Sequence, residues 1–321
     1  MTDAKQLFEK YLADKREIPN PQNLYEPIDY VMSAGGKRIR PVMLVLAHQL
    51  FSKSTSQTLI AAEAIEVFHN FTLVHDDMMD QDDTRRGRPT VHKQFSDSAA
   101  ILSGDMMLIQ SYQLLAQLDV SNFSEILNIF NQTAQEVCEG QQSDMDFERQ
   151  EQVSIPEYVE MIRLKTAVLQ AAALQIGALL GGASTQTAQS LYDYGIEMGL
   201  AFQIMDDWLD TFGDESLLGK RIGSDIARSK KTFLYLKALE TASAGQKAHL
   251  QLLYELQTTT DHPKVAEATR LFKELGIDKT TRVLAEAHYQ KGLDILNAID
   301  VSESSKKPLL ELSNLLMRRV K

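Results

Sequence analysis

Apolar residues recur along almost the whole chain at the three- and four-residue spacing of helices that bury one face. Strict strand-like alternation is almost absent, and the 16 glycines and 8 prolines fall mostly between the periodic segments. The pattern therefore predicts an all-α protein, a single large helical bundle of about ten or more helices that forms one domain over residues 1–321. Clear examples are Leu7/Tyr11, Ile28/Val31/Met32, Val42/Val45/Leu46/Leu50, Ile101/Leu108/Tyr112/Leu115, Ile126/Phe130 and Leu309/Leu312/Leu315/Leu316.

Local signals place two of these helices. Ser154 followed by Pro156 predicts a helix start, since serine caps a helix and proline suits its first turn. The most apolar window, 168–183, is broken by two glutamines and is too short to cross a bilayer, which indicates a buried helix. The first residues lack a signal-peptide pattern, so a cytoplasmic protein without membrane insertion is expected.

Charge and cysteine content narrow the class further. The net charge of -11 and the pI near 5.2 argue against a nucleic-acid-binding surface. Basic residues nevertheless cluster at 37–40, 85–88 and 220–231. The single cysteine, Cys138, excludes an intrachain disulfide and suits a reducing compartment. We expect it to be a small core residue.

Two aspartate motifs share one spacing, Asp76-Asp-Met-Met-Asp80 and Asp206-Asp-Trp-Leu-Asp210. Residues four apart lie on one helix face, so each motif forms a carboxylate pair, and the first helix is predicted to run to about Asp83. A solvated acidic face is the ordinary interpretation. Apolar neighbours leave the first motif little solvent-facing surface, so it more plausibly lines a cavity, where Mg²⁺ would relieve the repulsion between carboxylates.

Basic loops accompany these motifs. Gly35-Gly36-Lys37-Arg38-Ile-Arg40 combines two flexible residues with three cations, and further basic loops follow each aspartate motif. The cations could simply pair with the carboxylates. Alternatively, both groups share an anionic ligand, with metal on one side and cations on the other, and diphosphate is the simplest candidate. The phosphate-loop pattern of nucleotide-binding proteins is missing.

Together these motifs resemble the trans-isoprenyl diphosphate synthases of the polyprenyl synthetase family. The similarity runs from residue 35 to about 232 in the family's order and leaves the last ninety or so residues poor in motifs. Ser229 stands where the family often has glycine and Leu234 where it often has proline, which leaves the shape of that loop open. The matching marks are the 35–41 loop, His69, both aspartate motifs, Arg85-Arg86-Gly87, Lys165-Thr166, Phe202-Gln203, and Lys220 with the segment ending at Asp225.

The resemblance implies a helical fold around a central active-site cavity, a homodimer, and about three Mg²⁺ ions per site. The isopentenyl diphosphate site looks like Lys37, Arg40, His69 and Arg86. The metal ligands look like Asp76, Asp80 and Asp206, with Asp210 acting through water. The allylic diphosphate holders look like Arg85, Lys165, Thr166, Gln203, Lys220 and Lys230. Of these residues, Asp76, Asp80, Arg85, Lys165, Asp206 and Lys220 are expected to be catalytic.

Product length is the finer question. The resemblance points to Phe71 as the floor of the product pocket, with Thr72 and Met107 beside it, and to short-chain products, C20 in preference to C15. An ordinary core role for Phe71 is the alternative. A longer-chain synthase, a terpene cyclase and a non-catalytic subunit of a heteromeric synthase are rival functions. The complete set of aspartate and arginine motifs argues against the last two.

Overall fold

The computed structural model describes residues 2–15, 18–53, 56–214 and 222–317. Helices dominate these residues, which confirms the all-α prediction. Lys220, predicted to hold diphosphate, lies outside the described residues. The helices are α1 Thr2–Asp14, α2 Gln22–Ser33, α3 Ile39–Gln49, α4 Ser56–Met79, α5 Val91–Gln94, α6 Asp97–Leu115, α7 Phe123–Arg149, α8 Ile155–Ile162, α9 Val168–Leu180, α10 Thr185–Phe212, α11 Ser224–Ala227, α12 Phe233–Thr241, α13 Ala244–Tyr254, α14 Pro263–Glu274, α15 Ile277–Ala298 and α16 Glu303–Met317.

The chain groups into two compact units. The first comprises residues 1–131, 172–191 and 301–309, and the second comprises 132–171, 192–300 and 310–321. The single-domain assignment stays a prediction. None of the helices in the described ranges combines the length and the apolar character that crossing a bilayer requires.

In the first unit, α4 packs along α6. Val67 and Val74 from α4 meet Met107 and Ala100 from α6 in one buried cluster, to which Ile28 and Val91 also belong. Helix α3 is buried from its third residue to His48, so its first turn is firmly anchored. These contacts fix the helices that carry the first aspartate motif and the first basic loop.

Helix α4 ends at Met79, four residues earlier than predicted. Gln81 adopts a left-handed conformation with φ 54°, and the backbone N–H of Asp82 donates to the carbonyl of Asp77 at 2.9 Å. This turn closes the helix. The predicted extension to Asp83 is therefore wrong, and Asp83 instead pairs with Lys93 at 3.1 Å.

A two-stranded antiparallel hairpin comes next, with β1 at Thr84–Arg85 and β2 at Arg88–Pro89. The two residues between the strands both have positive φ, 53° at Arg86 and 73° at Gly87. Such a tight turn matches the right-handed twist of the paired strands. The hairpin thus holds Arg85 and Arg86 in defined positions.

In the second unit, one apolar cluster gathers residues of α8, α10, α12, α14 and α15. Trp208 is part of this cluster and donates from its indole N–H to the carbonyl of Asp278 at 3.0 Å. The predicted start of α8 is confirmed, since Ser154 accepts from the backbone N–H of Glu157 and donates its own N–H to the Glu157 carboxylate.

Two further sequence expectations have clear outcomes. The predicted buried helix within the apolar 168–183 window is confirmed as α9, which ends at Leu180, three residues before the end of the window. The expectation for Cys138 is wrong, because its side chain is exposed. Val137 and Gly140 of α7 are buried. Cys138 lies about 100° from Val137 on the helical wheel and therefore points away from the buried face.

Candidate active site

A buried ion pair underlies the basic loop of the first unit. Arg38 directly precedes α3 in a left-handed conformation, φ 51°, and donates to the carboxylate of Glu66 and to the carbonyl of Met32. The Arg38 and Glu66 side chains are only 5% and 2% exposed. Arg38 is therefore paired inside the protein and does not face a ligand. Its counter-ion is Glu66, which the sequence motifs did not single out.

Arg40, His69 and Arg86 form what we call the anion cluster. Arg40 donates from Nη1 to Nε2 of His69 at 3.1 Å, so that ring nitrogen is an acceptor and the imidazole is neutral. Burial, with Arg40 and Arg86 adding their charge, holds the pKa of His69 well below its usual range. Burial also lowers the pKa of Arg40 to about 10, and its buried Nε has no hydrogen-bond partner among the described residues. These groups are arranged for a negatively charged ligand.

The glycine loop packs directly against this cluster. Arg86 donates from Nη1 to the carbonyl of Gly35 at 2.7 Å. At Gly36, φ is 126° and a Cβ would lie 3.1 Å from Cζ of Arg86, so a larger residue would press on the guanidinium. Lys37 comes next, at the exposed edge of the loop. The structure thus brings the predicted residues Arg40, His69 and Arg86 together.

The first aspartate motif meets Arg85. This arginine donates from Nε to Asp77, and its Nη2 lies 3.3 Å from a carboxylate oxygen of Asp76 and 3.8 Å from one of Asp82. Burial raises the pKa of Asp77 to about 6 against the opposing effect of Arg85, and Asp76 and Asp82 add to the rise. Asp80 is half-buried directly after the helix, and its N–H donates to the carbonyl of Asp76 at 2.8 Å.

The predicted product-pocket residues belong to one apolar region. Phe71 is half-buried and packs on the cluster that contains the fully buried Met107. Its ring lies 5.5 Å from Phe68, which in turn lies 5.1 Å from Phe130. Thr72 uses its hydroxyl locally, donating to the carbonyl of His69 at 2.8 Å. Phe68 and Phe130 therefore support Phe71 from behind, which the sequence motifs did not indicate.

In the second unit, Lys165 and Thr166 lie in a π-helical turn, residues Arg163–Ala167, between α8 and α9. The N–H of Val168 donates to the carbonyl of Arg163, five residues back. Gly140 of α7 lies against this turn, because a Cβ there would be 2.3 Å from the nitrogen of Lys165. The wider turn therefore needs a glycine opposite it.

Asp144, also on α7, faces the predicted diphosphate lysines. Nζ of Lys165 donates to its carboxylate at 2.6 Å. Burial alone would raise the pKa of Asp144, but the charges of Lys165 and Lys230 outweigh it and hold that pKa below its usual range. Two predicted ligands of one anion thus converge on a carboxylate that no motif marked.

A chain of hydrogen bonds connects Thr166 to the second aspartate motif. The Thr166 hydroxyl donates to Oε1 of Gln203 at 3.2 Å, and Nε2 of Gln203 donates to Asp207 at 3.0 Å. Tyr158 donates its hydroxyl to the other Asp207 oxygen. Burial, with the charge of Asp225, raises the pKa of Asp207 well above its usual range. Asp207 and Tyr158 are therefore supporting residues that the motif spacing missed.

Asp210 holds the beginning of the segment 223–231. It is 4% exposed, and its Oδ2 accepts the backbone N–H of Asp225 at 2.9 Å. Its own carbonyl accepts the N–H of Gly223. Lys231 anchors the far end of the segment by donating to the carbonyl of Phe147 at 2.6 Å. The loop that carries Lys230 is thus fixed at both ends.

The carboxylates around the two aspartate motifs suit Mg²⁺, which prefers carboxylate oxygen as a ligand. Asp76, Asp77 and Asp82 crowd together in one unit, and Asp206 and Asp225 both raise the pKa of Asp207 in the other. A divalent cation would relieve this like-charge crowding. Among the described residues, no group of three or more His, Cys, Asp or Glu side chains is arranged to hold a metal ion by protein ligands alone.

The family model of the polyprenyl synthetases matches residues 21–272. A geranylgeranyl diphosphate synthase of Methanosarcina mazei is 37% identical over 305 residues, which cover 94% of this chain and 91% of that protein. A crystal structure of a geranylgeranyl pyrophosphate synthase superposes with a TM-score of 0.94 at 40% identity, covering 100% of this chain and 99% of that one.

A third comparison concerns ligands. The polyprenyl synthase of Caulobacter crescentus, crystallised with calcium and isoprenyl diphosphate, has a TM-score of 0.89 at 26% identity and covers 100% of this chain and 96% of that one. The fold and the paired aspartate motifs define an isoprenoid synthase. This chain belongs to the polyprenyl synthetase family.

Proposed function

We propose that the protein is a trans-prenyltransferase that condenses isopentenyl diphosphate with an allylic diphosphate, and that its main product is the C20 geranylgeranyl diphosphate. The observation that carries this proposal is that α4 bears both His69 of the anion cluster and Asp76 and Asp77 of the first motif, with Asp80 directly after its end. One helix therefore carries groups for two anionic substrates. The geranylgeranyl diphosphate synthases that resemble this chain support the C20 length.

In this proposal the anion cluster binds isopentenyl diphosphate. Arg40 and Arg86 supply the charge, and the neutral His69 leaves its other ring nitrogen as a donor. Lys37, at the edge of the same loop, adds a fourth contact. Because Arg40 is partly buried, a bound diphosphate gains more from its charge than it would at a fully exposed site.

The allylic diphosphate is bound by Arg85, Lys165, Thr166, Gln203, Lys220 and Lys230. Mg²⁺ bound by Asp76, Asp80 and Asp206, about three ions in all, would stabilise the charge on the leaving diphosphate. The allylic C–O bond breaks with its electron pair going to diphosphate. The double bond of isopentenyl diphosphate then attacks the allylic carbon, and a proton leaves to the departed diphosphate, so no side-chain base is required.

Product length is set by the aromatic floor. Phe71, supported by Phe68 and Phe130, closes the end of an apolar pocket into which the growing chain extends. Met107 lies in the same cluster and contributes bulk. A longer product needs these side chains to be smaller. Production of C25 or longer chains is the second candidate function.

The active form is a homodimer, and it works in the cytoplasm. Helix α6 exposes Ile101, Leu102 and Ile109, which are 48%, 59% and 51% accessible in the single chain. Large apolar side chains gathered on one helix are typical of a surface that a partner covers. A second copy of this chain is that partner, and Ile109→Glu should shift the protein to monomer in sedimentation equilibrium.

The decisive experiment incubates the purified protein with Mg²⁺, labelled isopentenyl diphosphate and each of dimethylallyl, geranyl and farnesyl diphosphate in turn. Mass spectrometry of the products should show C20 as the main species. Mainly C15 or C25 products would correct the length only. Hydrocarbon formed from the allylic substrate alone would indicate a terpene cyclase, and no condensation with any primer would overturn the proposal.

A further inference from the structure

Lys264 is a buried cation in an unusual place. Its side chain is among the largest fully buried ones, and the residue is 2% exposed although it ends in an amine. It lies in the first turn of α14, next to the capping residue His262. A positive charge there faces the positive end of the helix dipole, so the stability of α14 does not explain it.

The contacts of the Lys264 amine explain why this lysine is buried. Nζ donates to the Ser229 hydroxyl at 2.6 Å, to the carbonyl of Ala227 at 3.4 Å and to the carbonyl of Leu256. The Ser229 hydroxyl in turn donates to the same Leu256 carbonyl at 3.2 Å. The Tyr254 ring lies 5.1 Å from the amine. Lys264 thus clamps the turn directly after α11.

That turn needs a clamp, because Ser229 adopts the left-handed conformation with φ 59°. A residue with a side chain adopts this conformation at a cost in free energy, whereas glycine adopts it readily. The N–H of Ser229 donates to the carbonyl of Ile226 and that of the next residue, Lys230, to the carbonyl of Asp225. The conformation at Ser229 therefore sets the direction in which Lys230 leaves the turn.

Lys230 is close enough to Asp144 for its charge to lower the pKa of that carboxylate, together with Lys165. We propose that Lys264 is a positioning residue, which acts through the Ser229 hydroxyl to hold Lys230 where the allylic diphosphate binds. The inference rests on the proposed function, since that function supplies the ligand of Lys230. A glycine at position 229 would need no such clamp.

The first test is Lys264→Met, which keeps the length of the side chain and removes the donors. We expect KM for the allylic diphosphate to rise about tenfold while KM for isopentenyl diphosphate stays within twofold, a split that a general loss of structure would not give. The matched control is Lys273→Met, which removes an exposed lysine from the same helix and should change neither KM.

Substitutions at position 229 test whether Lys264 acts on Lys230 through the Ser229 hydroxyl. Ser229→Ala loses the clamp but keeps the unfavourable conformation, so it should raise KM for the allylic diphosphate like Lys264→Met. Ser229→Gly should stay near the wild-type value, and in the Lys264→Met background it should restore most of the lost affinity. In a Lys230→Ala background, Lys264→Met should add nothing further.

Equal changes in both KM values, or a full effect of Lys264→Met in the Lys230→Ala background, would overturn the positioning role. If Lys264→Met does not fold, the contrast between Ser229→Ala and Ser229→Gly decides the question, and equal KM values for that pair would reject the proposal. A wild-type protein that condenses its substrates while these variants leave KM unchanged refutes this inference alone. An inactive wild-type protein refutes the proposed function instead.

Discussion

Glu66→Gln should lower the free energy of unfolding substantially, although Glu66 is predicted to touch no substrate. Its carboxylate accepts from Arg38 and, at 3.2 Å, from Asn70, and both side chains of the ion pair are almost fully buried. Removing one partner of a buried pair costs about 3–5 kcal/mol, because the other charge remains inside without compensation. Arg38 keeps the carbonyl of Met32 as an acceptor, which favours the lower end, about 3 kcal/mol.

Thermal unfolding measures this cost. For a chain of this size, a loss of about 3 kcal/mol should lower Tm by roughly 4–5 °C. The matched control is Glu63→Gln on the same helix, since Glu63 is half-buried and pairs with the partly exposed Lys15 at 3.0 Å. A pair of that kind contributes about 1 kcal/mol or less, so the control should lower Tm by no more than about 2 °C.

Ligand binding adds a second measurement. Without Glu66 the guanidinium groups of Arg38, Arg40 and Arg86 lack a common counter-ion, and isopentenyl diphosphate would supply one. The ligand should therefore raise Tm of Glu66→Gln by more than it raises Tm of the wild type. The reasoning is refuted if Glu66→Gln and Glu63→Gln unfold at the same temperature, or if the ligand stabilises the variant no more than the wild type.

The described contacts support three other expectations. Phe71→Ala should lengthen the product, because the floor recedes, and an unchanged distribution by mass spectrometry would remove Phe71 from that role. Gly36→Ala should raise KM for isopentenyl diphosphate about tenfold by pressing on Arg86, whereas Gly245→Ala, which meets open space, should not; equal kinetics would reject the steric argument. Burial lowers the pKa of Lys264 to about 8 from 10.5, so the unfolded chain binds more protons between these values and the free energy of unfolding should rise with pH across that window. Urea unfolding of wild type and Lys264→Met at pH 7, 8 and 9.5 checks this, and the difference between them should change with pH; a constant difference would contradict it.

Much of the site could be predicted because its chemistry lies in short local patterns. The four-residue spacing of Asp76 and Asp80 and the glycines beside Lys37 are readable from a few neighbouring letters. The helix spacing in turn predicts the all-α fold. Arg38 shows the limit of such local patterns, since it lies within the same basic loop but points inward to Glu66.

The supporting residues were missed because their partners are distant in the chain. Asp144 meets Lys165 across 21 residues, and Tyr158 meets Asp207 across 49. No local pattern encodes such pairs. Glu66 did leave a signal, as a lone charge among the apolar residues 64–68 of α4, which only a buried partner would tolerate. The end of α4 was misjudged because a left-handed glutamine cannot be recognised from its letter.

The π-helical turn at Arg163–Ala167 also limits how this chain can evolve. It contains one residue more than an α-helical turn spanning the same length, and Gly140 leaves the space for it. Deleting a single residue there would restore a regular helical turn and change the positions of the side chains within it. Lys165 and Thr166 would then point in new directions. Substitutions within the turn are therefore compatible with this fold, whereas insertions and deletions in it are not.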